Sequence, residues 1–285
     1  MQWKGRQQSG NVDDRRGRSG GKKIAFGGIS TIVIVIIIAL ITKDPAVLQQ
    51  LGQQTQGIQQ SELSAEEQKA QDEQAEFTAV VLKDTEDVWD ELFPTYFRKK
   101  YVHPELVLFS GYTQSGCGDA ESATGPFYCP ADQKIYIDLS FFEDLRTRFS
   151  APGDFACAYV IAHEVGHHIQ HLLGKTTEVH QMREQLSEKE YNKLSVKLEL
   201  QADFYAGVWA HHAQKMKSIM ESGDMEEALN AANAIGDDRL QKQSQGKVMP
   251  DAFTHGTSEQ RMYWFKKGFE TGDVRQGDTF SARSF

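Results

Sequence analysis

The feature that most constrains this chain is a five-residue pattern, H-E-x-x-H, at residues 163–167. Residues four apart on an α-helix lie one turn above each other, so His163 and His167 can bind one metal ion together. Glu164 points to the side of that face, where its carboxylate reaches a metal-bound water without being a ligand. The preceding residues 156–162 are apolar and lack Gly and Pro, which predicts a buried helix that holds the site rigidly.

A third ligand must come from elsewhere in the chain, because a catalytic zinc ion takes three protein ligands and keeps one position open. The extended pattern that supplies a third His is excluded, since it requires Gly and His where the chain has Gln170 and Leu173. Glu199 lies in the helical run 187–211 and is the expected third ligand. Asp203, one turn later on the same face, is placed to accept the ring N–H of a ligating His.

Further motifs follow one another in a definite order along nearly the whole chain. They are an Arg-rich opening with NVDDRR at 11–16, one early apolar span, SGCG at 115–118, GPFYCP at 125–130, IYIDL at 135–139, YVIAHEVGHH at 159–168, ELQAD at 199–203 and HGTSEQR at 255–261. This series resembles the bacterial family named putative neutral zinc metallopeptidase, also called the YpfJ family. The resemblance implies an α+β, mostly helical fold with a zincin-like (gluzincin-type) metallopeptidase domain. It also implies Zn²⁺ as cofactor and a peptide or protein as substrate.

The expected chemistry is hydrolysis of a peptide bond by a zinc-activated water. Zinc held by His163, His167 and Glu199 lowers the pKa of that water toward neutrality. Glu164 is the expected general base, which takes the proton of the water and passes it to the leaving amine.

An oxyanion-stabilising donor is expected opposite the metal, from a segment further along the chain. His255 is the candidate, because it stands in a loop just before the last helical run. Tyr205 and Tyr136 are alternatives, and geometry must decide among them. The same loop also fits a simpler interpretation, in which Thr257 or Ser258 caps that helix.

The N-terminal part of the chain differs in composition from the rest. Residues 1–23 are basic and rich in Gly and Ser, which predicts a disordered cytoplasmic tail. Residues 24–41 are 18 uncharged residues dense in Ile and Val, which predicts a transmembrane helix. A cleaved signal peptide is the alternative, although no A-x-A site ends the run. Residues 42–75, rich in Gln and Glu, are the predicted linker.

These features predict a protein anchored once in the bacterial inner (cytoplasmic) membrane. The positive residues precede the apolar span, so the N-terminus is expected in the cytoplasm and the catalytic domain in the periplasm or outside the cell. The membrane is then a partner through residues 24–41. The net charge of −9 gives no indication of nucleic-acid binding.

Residues 76–285 form the predicted zinc metallopeptidase domain. Apolar residues at helical spacing from Phe77 predict an amphipathic helix that stops or kinks at Pro94. Strands are expected at 106–112, around Phe127 and at 134–138, as a small antiparallel sheet. Similar peptidases place such a sheet beside the cleft, where an edge strand can pair with an extended substrate, and core scaffolding is the alternative for any one strand. Helices are expected at 141–149, 155–173, 187–211, 225–234, 239–245 and 257–270.

The chain has three cysteines, of which Cys117 and Cys129 bracket a turn region. A disulfide between them is expected in an exported domain, whereas a zinc site is disfavoured because no C-x-x-C is present. Cys157 lies on the helix of the H-E-x-x-H pattern but off its ligand face, and is expected to be a buried thiol.

Two alternatives to a peptidase stay open at this point. One is a membrane-tethered interaction protein with a structural or degenerate zinc site, although such a site usually has four protein ligands. The other is a zinc hydrolase of a different amide, which nothing in the sequence separates from a peptidase.

Overall fold

The computed structural model describes residues 1–17 and 64–281, in which helices predominate over strands. The α-helices in this part of the chain are α1 Ala65–Phe97, α2 Ser140–Thr147, α3 Asp154–Leu172, α4 Lys175–Gln181, α5 Glu188–Lys217, α6 Asp224–Ala234, α7 Asp237–Gln245 and α8 Ser258–Thr271. Short 3₁₀ turns occur at Ser122–Thr124, Met182–Glu184, Pro250–Ala252 and Val274–Gln276. The mostly helical α+β fold is as predicted, and α1 continues past Pro94 to Phe97.

Three of the helices begin with reciprocal capping contacts that the sequence encodes locally, among them the contacts between Ser64 and Glu67 at the start of α1. At the start of α5, the Ser187 hydroxyl accepts a hydrogen bond from the backbone N–H of Glu190, whose carboxylate accepts one from the Ser187 N–H. Thr257 and Gln260 form the same capping box at the start of α8. These contacts satisfy N–H groups that have no partner within the helix, so they fix where each helix begins.

Glycines allow the three central helices α3, α5 and α8 to pack closely. A Cβ atom at Gly166 would lie 2.9 Å from the Cα of Ala202, so α3 and α5 meet there only because Gly166 has no side chain. Gly207 and Gly268 do the same between α5 and α8, where a Cβ at Gly207 would lie 2.0 Å from the carbonyl oxygen of Phe265. Since Gly166 is inside the H-E-x-x-H pattern, this approach brings α5 against the two histidines.

The strands are β1 Val12–Asp14, β2 Glu105–Phe109, β3 Tyr112–Ser115, β4 Gly118–Glu121, β5 Phe127–Cys129 and β6 Lys134–Asp138. The larger sheet has the order β1-β2-β6-β5, and β3 and β4 form a separate two-stranded antiparallel sheet. In the larger sheet, β2 is parallel to both β1 and β6, whereas β5 is antiparallel to β6. The prediction of a small antiparallel sheet is therefore wrong for the larger sheet, because β1 and the long β2–β6 connection introduce parallel pairs.

The prediction of a disordered tail at residues 1–23 is wrong for residues 1–17, which pack into the domain. The side chains of Met1 and Trp3 are buried, and the Trp3 ring lies edge-to-face against Phe77 with 5.5 Å between the centroids. Arg6 forms an ion pair with the buried Asp84 of α1. Composition indicated disorder because this segment has few apolar residues, but the rest of the chain supplies the partners that bury them.

The predicted transmembrane helix at 24–41 lies outside the described residues. Across residues 1–17 and 64–281, no helix is both long enough and apolar enough to cross a membrane. The predicted topology is wrong because of how the N-terminal residues pack. Residues 1–17 and the residues from Glu73 onward form one compact unit, and a single crossing between them would separate them by a bilayer. The predicted inner-membrane localisation, with a cytoplasmic N-terminus and an extracytoplasmic catalytic domain, is therefore wrong.

The boundaries predicted for the linker and the catalytic domain also differ from the observed elements. Helix α1 begins at Ala65, so the described end of the predicted 42–75 linker is helical. The disulfide expected between Cys117 and Cys129 is present, with 5.8 Å between the two Cα atoms. It ties the turn between β3 and β4 to the end of β5. Cys157 is free and partly buried.

Candidate metal centre

The three residues expected to bind the metal converge in the structure. The Glu199 carboxylate on α5 lies 3.2 Å from Nε2 of His163 and 3.5 Å from Nε2 of His167 on α3. All three side chains offer ligand atoms within 4.8 Å of one another. Ligands about 2.0–2.1 Å from a tetrahedral zinc ion are roughly 3.3 Å apart, so the observed spacing fits this metal. One carboxylate and two imidazoles are also a donor set that zinc favours.

The orientation of His163 is set by its other ring nitrogen. Its Nδ1–H donates to Oδ1 of Asp203 at 2.8 Å, which turns Nε2 toward Glu199. Asp203 is fully buried and also accepts hydrogen bonds from Nε of Arg261 at 2.9 Å and from the hydroxyl of Tyr159. The predicted contact between Asp203 and a histidine of the H-E-x-x-H pattern is confirmed. Carboxylates that hold ligating histidines in this way raise ligand basicity.

A different residue orients His167. Its Nδ1–H donates to Oε1 of Gln170 at 3.0 Å, so its Nε2 also faces Glu199. The side-chain amide of Gln170 is held in turn by the carbonyl oxygen of Leu198 on α5, at 2.7 Å. Gln170, which stands where the longer histidine pattern requires Gly, thus fixes the tautomer of His167.

Glu164 faces the cleft beside this cluster. Its side chain is almost buried, yet its carboxylate makes no hydrogen bond or ion pair within the part of the chain that the structure describes. A buried carboxylate without a protein partner is costly unless water or a ligand solvates it. The position of Glu164 therefore suits a group that interacts with a water or a substrate in the cleft.

His255 is the only one of the three oxyanion candidates that lines the cleft. Its Nδ1–H donates to Asp237 at 3.1 Å, and the same carboxylate accepts the backbone N–H groups of residues 254–256. Tyr205 is buried in the core against Trp89, and the hydroxyl of Tyr136 donates to Asp132 at 2.7 Å. The helix-capping interpretation of the loop is confirmed as well, since Thr257 caps α8.

The cluster lies on the wall of a cleft of about 460 Å³. Apart from the polar groups above, its lining is largely apolar and aromatic. Strand β5 forms part of this lining through Phe127 and Tyr128, with Pro126 and Pro130 on either side. Because β5 pairs only with β6 in the described sheet, one edge of it stays available.

The charges at the cluster favour a bound cation. Burial alone lowers the pKa of His167, but the Glu199 carboxylate outweighs it and raises the pKa to about 9. Burial likewise raises the pKa of Glu199, but His167 and His255 hold it well below its ordinary value. Without a metal, protons on the imidazoles compensate the buried carboxylate. A divalent cation replaces such protons when it binds.

Arg261, Asp237 and Tyr159 were not identified as site residues from the sequence. Arg261 is buried and comes 58 residues after Asp203, with which its guanidinium pairs. No periodicity links such positions, so local patterns carry no signal for them. The available signals were the presence of Tyr159 and of Arg261 in two motifs of the series.

Comparison with known proteins agrees with this geometry. The family model described as "putative neutral zinc metallopeptidase" matches residues 1–280. The chain belongs to this family. The match includes the N-terminal residues that pack into the domain, which agrees with their place in the fold. No solved structure matches the chain significantly.

Its relatives span the same length or a large part of it. The chain is 48% identical over 290 residues to the uncharacterized protein YpfJ of Escherichia coli K12, with 98% of this chain and 99% of that protein covered. It is 44% identical over 205 residues to an uncharacterized protein of Mycobacterium tuberculosis H37Rv, covering 68% of this chain and 67% of that protein. The names of these relatives state no activity, so they support the family assignment alone.

Proposed function

We propose that this member of the zinc metallopeptidase family hydrolyses peptide bonds, with His163, His167 and Glu199 as the zinc ligands. The observation that carries the proposal is the convergence of these three side chains beside an unpartnered Glu164 carboxylate, in an open cleft. Three protein ligands next to open space are typical of catalytic zinc, whereas structural zinc usually has four protein ligands.

When bound, zinc lowers the pKa of a coordinated water toward neutrality and polarises the substrate carbonyl. Glu164 accepts a proton from the attacking water and then donates it to the amine that leaves. His255 donates from Nε2 to the carbonyl oxygen on which negative charge develops. The hydrogen bond from its Nδ1–H to Asp237 at 3.1 Å holds the ring in place for this role.

The substrate in this proposal is an extended peptide that lies along β5. The backbone groups of an edge strand can pair with such a peptide, and alternate side chains then enter the cleft. The disulfide between Cys117 and Cys129 holds the end of β5, so the strand is kept in position beside the metal ligands.

The proposal is tested by Glu164→Gln in the full-length chain, with Glu143→Gln as an exposed control. Glu164 is not a ligand, so the variant should retain one zinc per chain and the thermal stability of the parent. Cleavage of a peptide library, followed by mass spectrometry of new termini, should fall roughly 10²- to 10⁴-fold because the general base is lost.

The same experiment addresses the two alternatives. If the parent binds zinc but Glu164→Gln performs every cellular function of the parent, the zinc site is structural and the hydrolase proposal is wrong. If a non-peptide amide is cleaved and no peptide is, the chemistry stands and the substrate class changes.

A further inference from the structure

A second cavity of about 260 Å³ lies beside the cleft of the metal centre, and cations dominate its lining. One side is the turn that follows α2, and the other is α7 with the end of α6. The lining residues are Arg148, Phe149, Ser150, Ala234, Arg239 and Lys242. Three of the six are positively charged, in a chain whose net charge is −9.

The positive charge of this basic pocket is only partly neutralised. Arg148 pairs with Asp144 at 2.7 Å. Arg239 and Lys242 have no carboxylate partner within residues 1–17 and 64–281, the part of the chain that the structure describes. Two of the three cations that line the pocket thus lack an ion-pair partner among the described residues. Convergent cations without partners attract an anion, most strongly at low salt.

Backbone contacts hold the groups of the pocket in place. The N–H groups of Arg148 and Phe149 both donate to the carbonyl oxygen of Asp144, and Ser150 then reverses the chain in the left-handed conformation. The Arg148 guanidinium lies over the Phe149 ring, 5.6 Å from its centroid. A held guanidinium loses little rotamer freedom when it binds a planar anion such as a carboxylate.

The two uncompensated cations are held by α7. Arg239 and Lys242 are three residues apart on this helix, and side chains at that spacing share a face. The first turn of α7 is anchored by Asp238, which accepts hydrogen bonds from the backbone N–H and the hydroxyl of Ser258.

The basic pocket and the cleft share a wall. Phe149 lines both cavities, and Leu240, which follows Arg239 on α7, lines the cleft. A peptide in the cleft that passes Phe149 and α7 therefore comes within reach of the cations.

We infer that the basic pocket binds a carboxylate of the substrate. Arg239 and Lys242 supply the attraction, and Arg148 supplies a planar donor pair. The carboxylate is either an acidic side chain or the C-terminus of the peptide, since both present the same two oxygens. The inference rests on the proposed function in that the ligand is a peptide seated in the cleft.

The test measures binding separately from cleavage. Four synthetic peptide pools are compared, with Asp and Glu kept or replaced by Asn and Gln, and with a free or amidated C-terminus. Each pool is offered to the immobilised, zinc-loaded full-length Glu164→Gln protein, and captured peptides are quantified by mass spectrometry. We expect pools with carboxylates to be enriched about tenfold over the neutral, amidated pool at low salt, and less at high salt.

The variants Arg239→Gln and Lys242→Gln, made in the same background, should each remove most of this enrichment while zinc content stays unchanged. Arg146→Gln, an exposed cation on α2 that does not line the pocket, should leave it intact. Enrichment that follows the free C-terminus alone identifies the terminal carboxylate, and enrichment that follows Asp and Glu identifies a side chain.

Equal capture of all four pools, or enrichment that survives both pocket variants, overturns the inference. Neither result bears on whether the parent cleaves peptides. Conversely, if enrichment depends on Arg239 but the parent cleaves none of the pools, the pocket stands and the peptidase proposal fails.

Discussion

The residues around His163 form one buried, charged, hydrogen-bonded cluster, and Asp203 is at its centre. Asp203 receives four hydrogen bonds, from Tyr159, from His163 and two from Arg261. Burial raises the pKa of Asp203, but Arg261 and His163 outweigh it and lower the pKa to about 2. The carboxylate therefore stays charged at any pH where zinc binds. Removing either buried charge alone leaves the other without a partner, which is strongly destabilising.

Asp203→Asn should therefore change both stability and metal affinity. The unpaired Arg261 should cost about 3–5 kcal/mol in the free energy of unfolding. Zinc affinity should fall about 10- to 100-fold, because His163 loses the acceptor that orients it. Urea denaturation and competition with a zinc chelator measure the two effects.

The double variant Asp203→Asn/Arg261→Met separates them. With both charges removed, most of the stability should return while zinc affinity stays low. Zinc affinity that returns together with stability would show that Asp203 acts on the fold and does not orient His163.

A site residue could be predicted from the sequence when its partners lie close to it along the chain. The shared direction of His163 and His167 was predictable because helical periodicity places residues four apart on one face. Glu199 followed from the ligand count that zinc requires. Arg261 and Asp237 act through contacts between separate helices and loops, which no local spacing encodes.

At the scale of elements, His168 joins helix α3 to strand β5. Its Nε2–H donates to the carbonyl oxygen of Val102 at 2.6 Å, and its Nδ1 accepts from the Tyr128 hydroxyl at 3.1 Å. This arrangement uses a neutral ring and fixes β5 relative to the helix of the H-E-x-x-H pattern. Burial lowers the pKa of His168 from 6.5 to about 4.

The depressed pKa of His168 predicts a loss of stability in mild acid. Between pH 6.5 and about 4, the unfolded chain binds a proton at this residue and the folded chain does not, so the free energy of unfolding falls as the pH falls. The contribution should be about 2 kcal/mol between pH 7 and pH 4.5.

Urea denaturation of metal-free parent and His168→Gln at the two pH values measures this contribution, since the other ionisable groups are common to both proteins. The parent should lose more stability than the variant. Equal losses would mean that His168 is not held neutral in the fold.

The disulfide has an analogous role at the other end of β5. It closes a loop with a sequence separation of 12 residues, and Cys129 is fully buried. Reduction should lower the free energy of unfolding by about 3 kcal/mol, since the unfolded chain gains conformational freedom.

Thermal unfolding of Cys157→Ala with and without reductant measures this loss of stability. Burial raises the pKa of the Cys157 thiol to about 12, so the parent and this variant should respond alike. An unfolding transition that reductant leaves unchanged would contradict the prediction.

The elements themselves were largely predictable, but the way they assemble was not. Helices α2, α3, α5, α6, α7 and α8 and strands β2, β5 and β6 lie where apolar periodicity and turn residues indicated them. Strand β1 is three residues long and pairs with β2, which follows it by about ninety residues. Such pairing depends on tertiary packing, so the order of the sheet could not be read from the sequence.

At the scale of the whole molecule, the N-terminal residues complete the domain. Met1 and Trp3 fill part of the main core, Arg6 pairs with Asp84, and β1 covers the edge of β2. Without them, β2 becomes an exposed edge beside an open apolar surface, and such edges promote aggregation. A fragment that begins at the predicted domain boundary near residue 76 therefore lacks part of its own core.

Deleting residues 1–17 should lower the free energy of unfolding by at least about 3 kcal/mol, because the burial of Met1 and Trp3 is lost. Zinc content should fall with it, since the core beneath the proposed zinc ligands loosens. A synthetic peptide of residues 1–17 should restore both when it is added in trans, whereas the same peptide with Trp3→Ala should restore much less. Thermal unfolding and zinc content at increasing peptide concentration measure the recovery. The prediction fails if the truncated chain is as stable as the parent, or if the two peptides restore stability and zinc content equally. The N-terminal segment would then not be part of the domain, and its packing would no longer argue that it lies on the same side of a membrane as the domain.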